Sequence, residues 1–512
     1  MAKLIYNAKV YLARETFAEA VLIKGSYIAA IGSNDEMLAA ASAGTEHIDA
    51  QGKLLLPGFH DCHQHLAMTG REAKTVHADV SSIEELIIQG KDTIAALNPS
   101  QNAFITGMGW DDNKLGRYPT RKDLDRISTE YAVVLSRRCG HVICCNSLAL
   151  ERAGIDSHGH SGILREKEAE PVWNAIPQES ETETLEHIRY AVQNALASGI
   201  TAVASNDVRG GDVDKFVRIF TELYQNKKLS IRITEQCAID QEKHLDEYID
   251  KGYRTGSQLI PGLLKFGPLK LFADGSLGSK TALLRKPYQD EPKSRGIQVL
   301  SPEVLNRYVK KAADNGIQVA THAIGDGAVD HVVSSYEAVT TTRSNPLRHG
   351  VIHSQITDIP LLTRMAANNI LALIQPIFLN SDRHIIESRV GHELASTSYA
   401  WRTMEQLGIR TAYGTDSPVE SMNPIENIAA AVTRYGYFPE ECVDVYTAVD
   451  AYTAGTAYAN FDENRFGRIK TGLLADLVLL DTDIFSVPIE SIADTRVLFT
   501  MVGGEIVYES EC

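Results

Sequence analysis

Residues 56–65 read LPGFHDCHQH, an apolar stretch that ends in two histidines separated by one residue. A short apolar stretch of this kind predicts a buried β-strand. Side chains two positions apart on a strand point to the same side, so His63 and His65 can offer two imidazoles to one ion. The same spacing at His158 and His160 follows no predicted strand, and we interpret that pair as part of a solvated loop.

Seven further apolar stretches of strand length follow the first, with helical stretches between them. The eight predicted strands are residues 58–63, 199–205, 230–237, 264–272, 317–322, 348–353, 371–375 and 410–415. Alternation of apolar strands with helices is typical of parallel βα units, and eight of them predict an α/β protein with a (β/α)₈ TIM barrel. An open, doubly wound sheet is the alternative.

The two ends of the chain differ from its middle. Short strands with turn residues between them are predicted near both termini, at 20–23, 27–31, 475–480, 497–502 and 505–508. They predict a small β-sandwich domain built from residues 1–57 and 463–512, with the barrel in residues 58–462. Residues from about 69 to 177 are too many for a βα connection, so we expect an inserted subdomain after the first barrel strand.

The composition excludes several classes of function. The chain has 512 residues, of which 44% are hydrophobic and 23% charged, as in ordinary globular proteins. No stretch reaches about 18 consecutive apolar residues, so we expect no membrane span. The formal net charge of -16 argues against nucleic acid or an anionic membrane as a partner. The seven cysteines follow no disulfide or zinc-knuckle spacing and the N-terminus has no signal peptide, so we expect a cytoplasmic protein.

Ionisable residues lie at the ends of five of the eight predicted strands, on the side where barrel enzymes place their active sites. Besides His63 and His65, they include His322, His353 and Asp416. Any one of these histidines alone is more often a hydrogen-bonding residue than a ligand. Because chance placement would scatter them, their common position favours a mixed nitrogen and oxygen site for zinc or a similar divalent metal.

The fourth predicted strand contains a lysine, Lys270, inside an apolar stretch. Burying an unpaired ammonium is costly, and a protonated lysine cannot bind a metal cation. Its neutral amine could react with carbon dioxide to give a carbamate, whose two oxygens can bridge two metal ions. The alternative is an ion pair with Asp274 or another carboxylate, and the residues alone leave both open.

The chain resembles the amidohydrolase superfamily of metal-dependent hydrolases, and within it the YtcJ-like group, or amidohydrolase family 3, which includes N-substituted formamide deformylases. The resemblance rests on an ordered series of motifs: LPGFHDCHQH (56–65), GWD (109–111), GHVICCNS (140–147), KLFADGSLGS (270–279), THAIGD (321–326), GTDSP (414–418) and ADLVLL (475–480). Their combination is specific for the fold and the site and only weakly specific for the substrate.

The resemblance implies two divalent ions, with zinc expected, bridged by a carboxylated Lys270. His63 and His65 bind the more buried ion in this interpretation, and His322 and His353 hold the second ion.

The resemblance also implies that Asp416 binds metal and shuttles a proton. We expect His141 to act as a second catalytic residue that donates to the substrate carbonyl or orients the substrate. The candidate substrate contacts are Trp110, Asp111, His141 and Asn146 in the insertion, and Asp274 and Ser276 in the loop after Lys270.

The resemblance implies hydrolysis of a C–N bond in an N-acyl or N-formyl amine or a related amide, with a water whose pKa a metal lowers to about 7. Ring opening of a cyclic amide or imide and hydrolytic deamination are alternatives at the same site. A protein that binds metal or ligand without turnover is a third interpretation, because fold alone never excludes it. The expected partner is a small-molecule substrate, and a homodimer is possible for the family.

Overall fold

A computed structural model describes residues 2–99, 102–137, 142–208, 210–226, 229–340 and 344–510, apart from the side chain of Glu166. The chain divides into two compact units. The first comprises Met1–Leu66 together with Ile188–Cys512, and the second comprises Ala67–His187. The second unit therefore covers the region in which the sequence predicts an insertion.

The first unit contains a barrel of eight strands, all of which the sequence predicts. Their bounds are Phe59–Gln64, Ile200–Ser205, Arg232–Ala238, Leu264–Phe272, Val319–Ala323, Gly350–His353, Leu371–Ile374 and Thr411–Tyr413. Each strand pairs in parallel with the next one along the chain. This sequential order shows a parallel α/β barrel, because a doubly wound sheet reverses its strand order at a switch point.

Backbone hydrogen bonds join the last barrel strand to the first. The N–H of Asp416 donates to the carbonyl of His63 at 2.8 Å, and the N–H of His65 donates to the carbonyl of Ser417 at 2.9 Å. Gly414 lies at this seam, where a Cβ atom would be 2.7 Å from the backbone nitrogen of His63. Only glycine lets the two backbones approach so closely.

Helices follow the barrel strands. In the first unit, those that connect one strand to the next are Val213–Gln225, Glu242–Asp250, Pro302–Asp314, Asp326–Glu337, Ile359–Ala367, Leu379–Asp382, Ile386–Val390, His392–Ser396 and Trp401–Gln406. Three more follow the eighth strand, Pro424–Thr433, Val445–Asp450 and Thr456–Ala459. Helix Val213–Gln225 is typical, because its N-cap Asp212 accepts from the N–H of Lys215 and its buried residues recur every three or four positions.

Strands from both ends of the chain form two sheets of the first unit. One sheet has the order Tyr27–Gly32, Ala20–Lys24, Ala2–Tyr6 and Glu46–Asp49. The other has the order Glu505–Glu509, Val497–Val502, Leu477–Leu480, Leu54–Pro57, Lys9–Ala13 and Thr16–Ala18. Both sheets contribute to one buried apolar cluster, which includes Val21, Leu55, Leu477 and Met501. Helix Asn34–Ala40 accompanies these strands.

The second unit has a five-stranded sheet with its own apolar core. The strand order is Ile163–Arg165, Val142–Cys145, Ala132–Arg137, Phe104–Trp110 and Val76–His77. The accompanying helices are Leu66–Glu72, Ile83–Leu97, Asp112–Leu115, Arg121–Asp125, Ser147–Arg152 and Glu170–Ala175, and helix Glu181–Ala197 leads back to the second barrel strand. The sheet and helices enclose a buried cluster that includes Leu86, Leu124 and Leu135.

Two expectations from composition can be compared with the described part of the chain. The cysteines there are free thiols, with Cys62, Cys144, Cys145 and Cys237 buried and Cys442 partly buried. Among the described helices, none combines the length and the apolar character needed to cross a membrane.

A buried ion pair links the barrel to the strands from the C-terminus. Arg232 begins the third barrel strand, and its Nε and Nη2 atoms donate to the two carboxylate oxygens of Asp476 at 2.6 and 2.9 Å. The N–H of Gly503 donates to the same carboxylate at 2.7 Å. The side chains of Arg232 and Asp476 are 10% and 1% exposed. Removing one partner of such a bidentate, desolvated pair is destabilising, because the other charge stays buried without compensation.

We therefore expect Asp476→Ala to lower the free energy of unfolding by about 3–5 kcal/mol, because it leaves the guanidinium of Arg232 buried without its counter-charge. Asp314→Ala is the matched control, since the Lys310–Asp314 pair is 70% and 58% exposed and contributes less than about 1 kcal/mol. Urea unfolding measures both variants. Equal losses in the two variants would contradict this role of the buried pair.

Candidate metal centre

Three of the predicted ligands lie together at the C-terminal end of the barrel. His63 and His65 lie at the end of the first strand, and Asp416 follows the eighth. Oδ1 of Asp416 is 3.0 Å from Nε2 of His65 and 3.3 Å from Nε2 of His63. All three side chains are buried. In the described part of the chain, they form a group whose candidate ligand atoms lie within 4.8 Å of one another.

Hydrogen bonds behind the two imidazoles determine which ring nitrogen carries the proton. Gln236 donates through Nε2 to the carbonyl of Cys62 at 2.9 Å, so its Oε1 accepts from Nδ1 of His63 at 2.6 Å. The backbone carbonyl of Asn206 accepts from Nδ1 of His65 at 3.1 Å. In the neutral ring, Nε2 of each histidine then carries the lone pair, which is the arrangement that binds a metal.

The charges at this group leave lone pairs facing a carboxylate. Burial, together with the charge of Lys270, lowers the pKa of His63 to about 3. At neutral pH the Nε2 lone pair of a neutral His63 therefore faces an oxygen of the Asp416 carboxylate, and both atoms are hydrogen-bond acceptors. A divalent cation satisfies this arrangement, so the donor set fits a metal such as zinc.

Lys270 and His353 border this group. Nζ of Lys270 is 3.2 Å from Nε2 of His63. Nε2 of His353 is 3.9 Å from Oδ2 of Asp416, while its buried Nδ1 has no hydrogen-bond partner within the described ranges. His353 and Asp416 both have positive φ angles, 78° and 55°. Backbone strain of this kind is concentrated at functional sites.

His322 adjoins His353, with their ring centroids 4.5 Å apart. Nε2 of His322 lies 3.0 Å from the carbonyl of Gly275 and 3.4 Å from Oδ1 of Asp274. Since both neighbours are acceptors, Nε2 carries the proton and Nδ1 carries the lone pair. His322 could therefore bind a metal through Nδ1, whereas His63 and His65 present Nε2.

The two candidate substrate contacts after Lys270 lie in a tightly bonded loop. The carboxylate of Asp274 accepts the backbone N–H groups of Ile324, Gly325 and Leu283 at 2.8–3.0 Å. These bonds and the contact with His322 give Asp274 a positioning role. Ser276 is exposed, and its hydroxyl lies 2.8 Å from that of Ser279 within the same loop.

Trp110 and Asn146 lie in the core of the second unit, where they have no exposed surface. The indole N–H of Trp110 donates to the carbonyl of Leu135 at 2.9 Å. Asn146 caps helix Ser147–Arg152, and its amide makes four hydrogen bonds to backbone groups. These contacts use the polar groups of both side chains inside the unit, and their role as substrate contacts stays a prediction.

The other two candidates of the insertion differ from this pair. Asp111 is partly buried and is the N-cap of helix Asp112–Leu115, where Oδ1 accepts from the N–H of Asn113 at 3.0 Å. His141, the predicted second catalytic residue, lies outside the described residues.

Sequence analysis did not single out Gln236 or Asp61, which position the candidate ligands. Asp61 is fully buried and accepts from the N–H and the hydroxyl of Thr415 at 3.1 and 2.7 Å. It also accepts from the N–H of His63 at 2.9 Å, and burial raises its pKa to about 7. The available signal was a polar residue inside an apolar strand, the same feature that singled out Lys270.

Comparison with known proteins identifies the family. The amidohydrolase family model matches residues 46–508. The chain is 32% identical to the putative amidohydrolase YtcJ of Bacillus subtilis (strain 168), with 96% of each chain covered. It is 24% identical to an N-substituted formamide deformylase of Arthrobacter pascens, covering 98% of this chain and 97% of that protein.

A solved structure agrees with this assignment. An uncharacterized metal-dependent hydrolase from Pyrococcus furiosus is 29% identical, covers 95% of this chain and 100% of its own, and has a TM-score of 0.80. The predicted resemblance is thereby confirmed. The chain belongs to the amidohydrolase family and is a metal-dependent hydrolase.

Proposed function

We propose that the protein hydrolyses the C–N bond of an N-acyl or N-formyl amine at the C-terminal end of the barrel. The observation that carries this proposal is the approach of Nε2 of His63 and His65 to one oxygen of Asp416, at 3.3 and 3.0 Å. A cation is the partner that such lone pairs require. The resemblance to an N-substituted formamide deformylase supports the choice of bond.

The proposed metal ligands are His63, His65, Lys270, His322, His353 and Asp416. In this proposal they hold two ions, and zinc suits their imidazole and carboxylate donors. Lys270 would take part as a carbamate, formed when its neutral amine bonds to carbon dioxide and loses a proton. Its Nζ atom, 3.2 Å from Nε2 of His63, lies beside the first pair of ligands.

A bound divalent ion lowers the pKa of water and polarises a carbonyl group. Asp416 accepts the proton of the attacking water as a general base. It then returns the proton to the leaving nitrogen. One C–O bond forms as the C–N bond breaks, so the products are a carboxylic acid and an amine. Asp274 keeps His322 in place through its contact with Nε2.

Metal content tests the role of Lys270. We expect about two ions per chain in protein purified without chelator, and one or none in Lys270→Ala, because the variant lacks the bridging group. The matched control is Lys265→Ala, which removes a buried lysine of the same strand that pairs with Asp462 at 2.7 Å. Elemental analysis should find its metal content unchanged. Equal content in wild type and Lys270→Ala would make Lys270 an ion-pair residue.

Turnover of N-hexylformamide tests the reaction. The zinc-loaded protein should release formate and hexylamine, and Asp416→Asn should lower kcat by about 10²–10⁴ because the proton acceptor is lost. Elemental analysis of the variant shows whether metal is retained. Full activity in Asp416→Asn would exclude its proton-transfer role. Hydrolysis of cyclic imides, or ammonia release from aminopurines, without turnover of N-acyl amines would exclude the proposed substrate class.

A further inference from the structure

A cavity of about 250 Å³ adjoins the fourth barrel strand. Its apolar walls are formed by Ala238, Ile239, Leu271, Phe272, Val299 and Leu300. The charged residues that line it are Lys270 and Asp240. A mainly apolar lining with few polar groups is typical of a pocket that binds an uncharged organic group.

Phe272 connects this cavity to the candidate metal centre. Lys270 and Phe272 are two positions apart on one strand, so their side chains share a face. The ring centroid of Phe272 lies 4.8 Å from Nζ of Lys270 and 5.6 Å from the ring centroid of His322. Phe272 is also one of the residues that line the cavity. A substrate whose reacting group lies at the candidate ligands would therefore have this cavity within reach of its substituent.

Val299 forms an accessible part of the cavity wall. Val299 is 51% exposed, and its N–H donates to the carbonyl of Ala273 at 2.9 Å, which holds this segment against the end of the fourth strand. Ile297 is equally exposed, at 52%, but does not line the cavity. The two residues therefore offer a matched pair for substitution.

We propose that this cavity is a specificity pocket that takes an uncharged apolar substituent of the substrate, such as a short alkyl chain. The inference rests on the proposed function and names its substrate class more closely. A cavity of about 150 Å³ holds benzene, so this volume accommodates a group of that size or somewhat larger. A charged substituent is disfavoured because burying an unpaired charge is costly.

Ketone binding tests the pocket without turnover. Calorimetric titration of the protein as purified compares heptan-2-one with butan-2-one, which have the same carbonyl end and differ by three methylenes. Since each buried methylene strengthens binding about fourfold, we expect heptan-2-one to bind at least tenfold more tightly. Val299→Trp and Val299→Asp should reduce this ratio at least fivefold, whereas Ile297→Trp and Ile297→Asp should leave it unchanged. Equal binding of the two ketones, or equal effects at both positions, would overturn the proposal.

Two isomeric amides then test the pocket proposal and the proposed reaction independently. N-hexylformamide carries its chain on the amine side, and N-methylhexanamide carries it on the acyl side. A higher kcat/KM for one isomer, reduced by Val299→Trp, shows which side occupies the pocket. If neither is hydrolysed while the ketone ratio and its loss at Val299 persist, the proposed function fails and the pocket stands. If both are hydrolysed without effect at Val299, the pocket proposal fails alone.

Discussion

The seam between the first and eighth barrel strands is the constraint on which the candidate site depends. Two backbone hydrogen bonds join the ends of these strands, between His63 and Asp416 and between His65 and Ser417. The missing side chain of Gly414 lets the backbones meet. Closure of the barrel and assembly of the three candidate ligands are therefore the same event, and residues more than 350 positions apart become neighbours.

Polar residues behind the candidate ligands determine which imidazole nitrogens of His63 and His65 present lone pairs to Asp416. Gln236 and the carbonyl of Asn206 fix the protons of two imidazoles on Nδ1, away from Asp416. Without these bonds, a histidine could donate a proton to the carboxylate and form an ordinary ion pair. With them, lone pairs converge where a cation is needed. The buried polar groups that hold the candidate ligands thus account for the cation preference of the site.

Much of the fold could be predicted because its signals are local. Each barrel strand is a short apolar stretch, and a residue such as His322 or His353 marks the end of its own strand. The packing of Trp110 and Asn146 could not be predicted in this way, because burial in a core depends on neighbours distant in sequence. Gln236 left a local signal, a polar residue inside an apolar strand, but its role depends on contacts with the first strand, which is distant in sequence.

The central claim is that His63, His65 and Asp416 share one cation. Anomalous diffraction at the zinc edge, from crystals grown with zinc, tests it most directly. The account predicts a peak about 2.0–2.2 Å from Nε2 of both histidines and from a carboxylate oxygen of Asp416. Zinc bound at surface positions such as His158 and His160, with no peak between the three buried side chains, would contradict it.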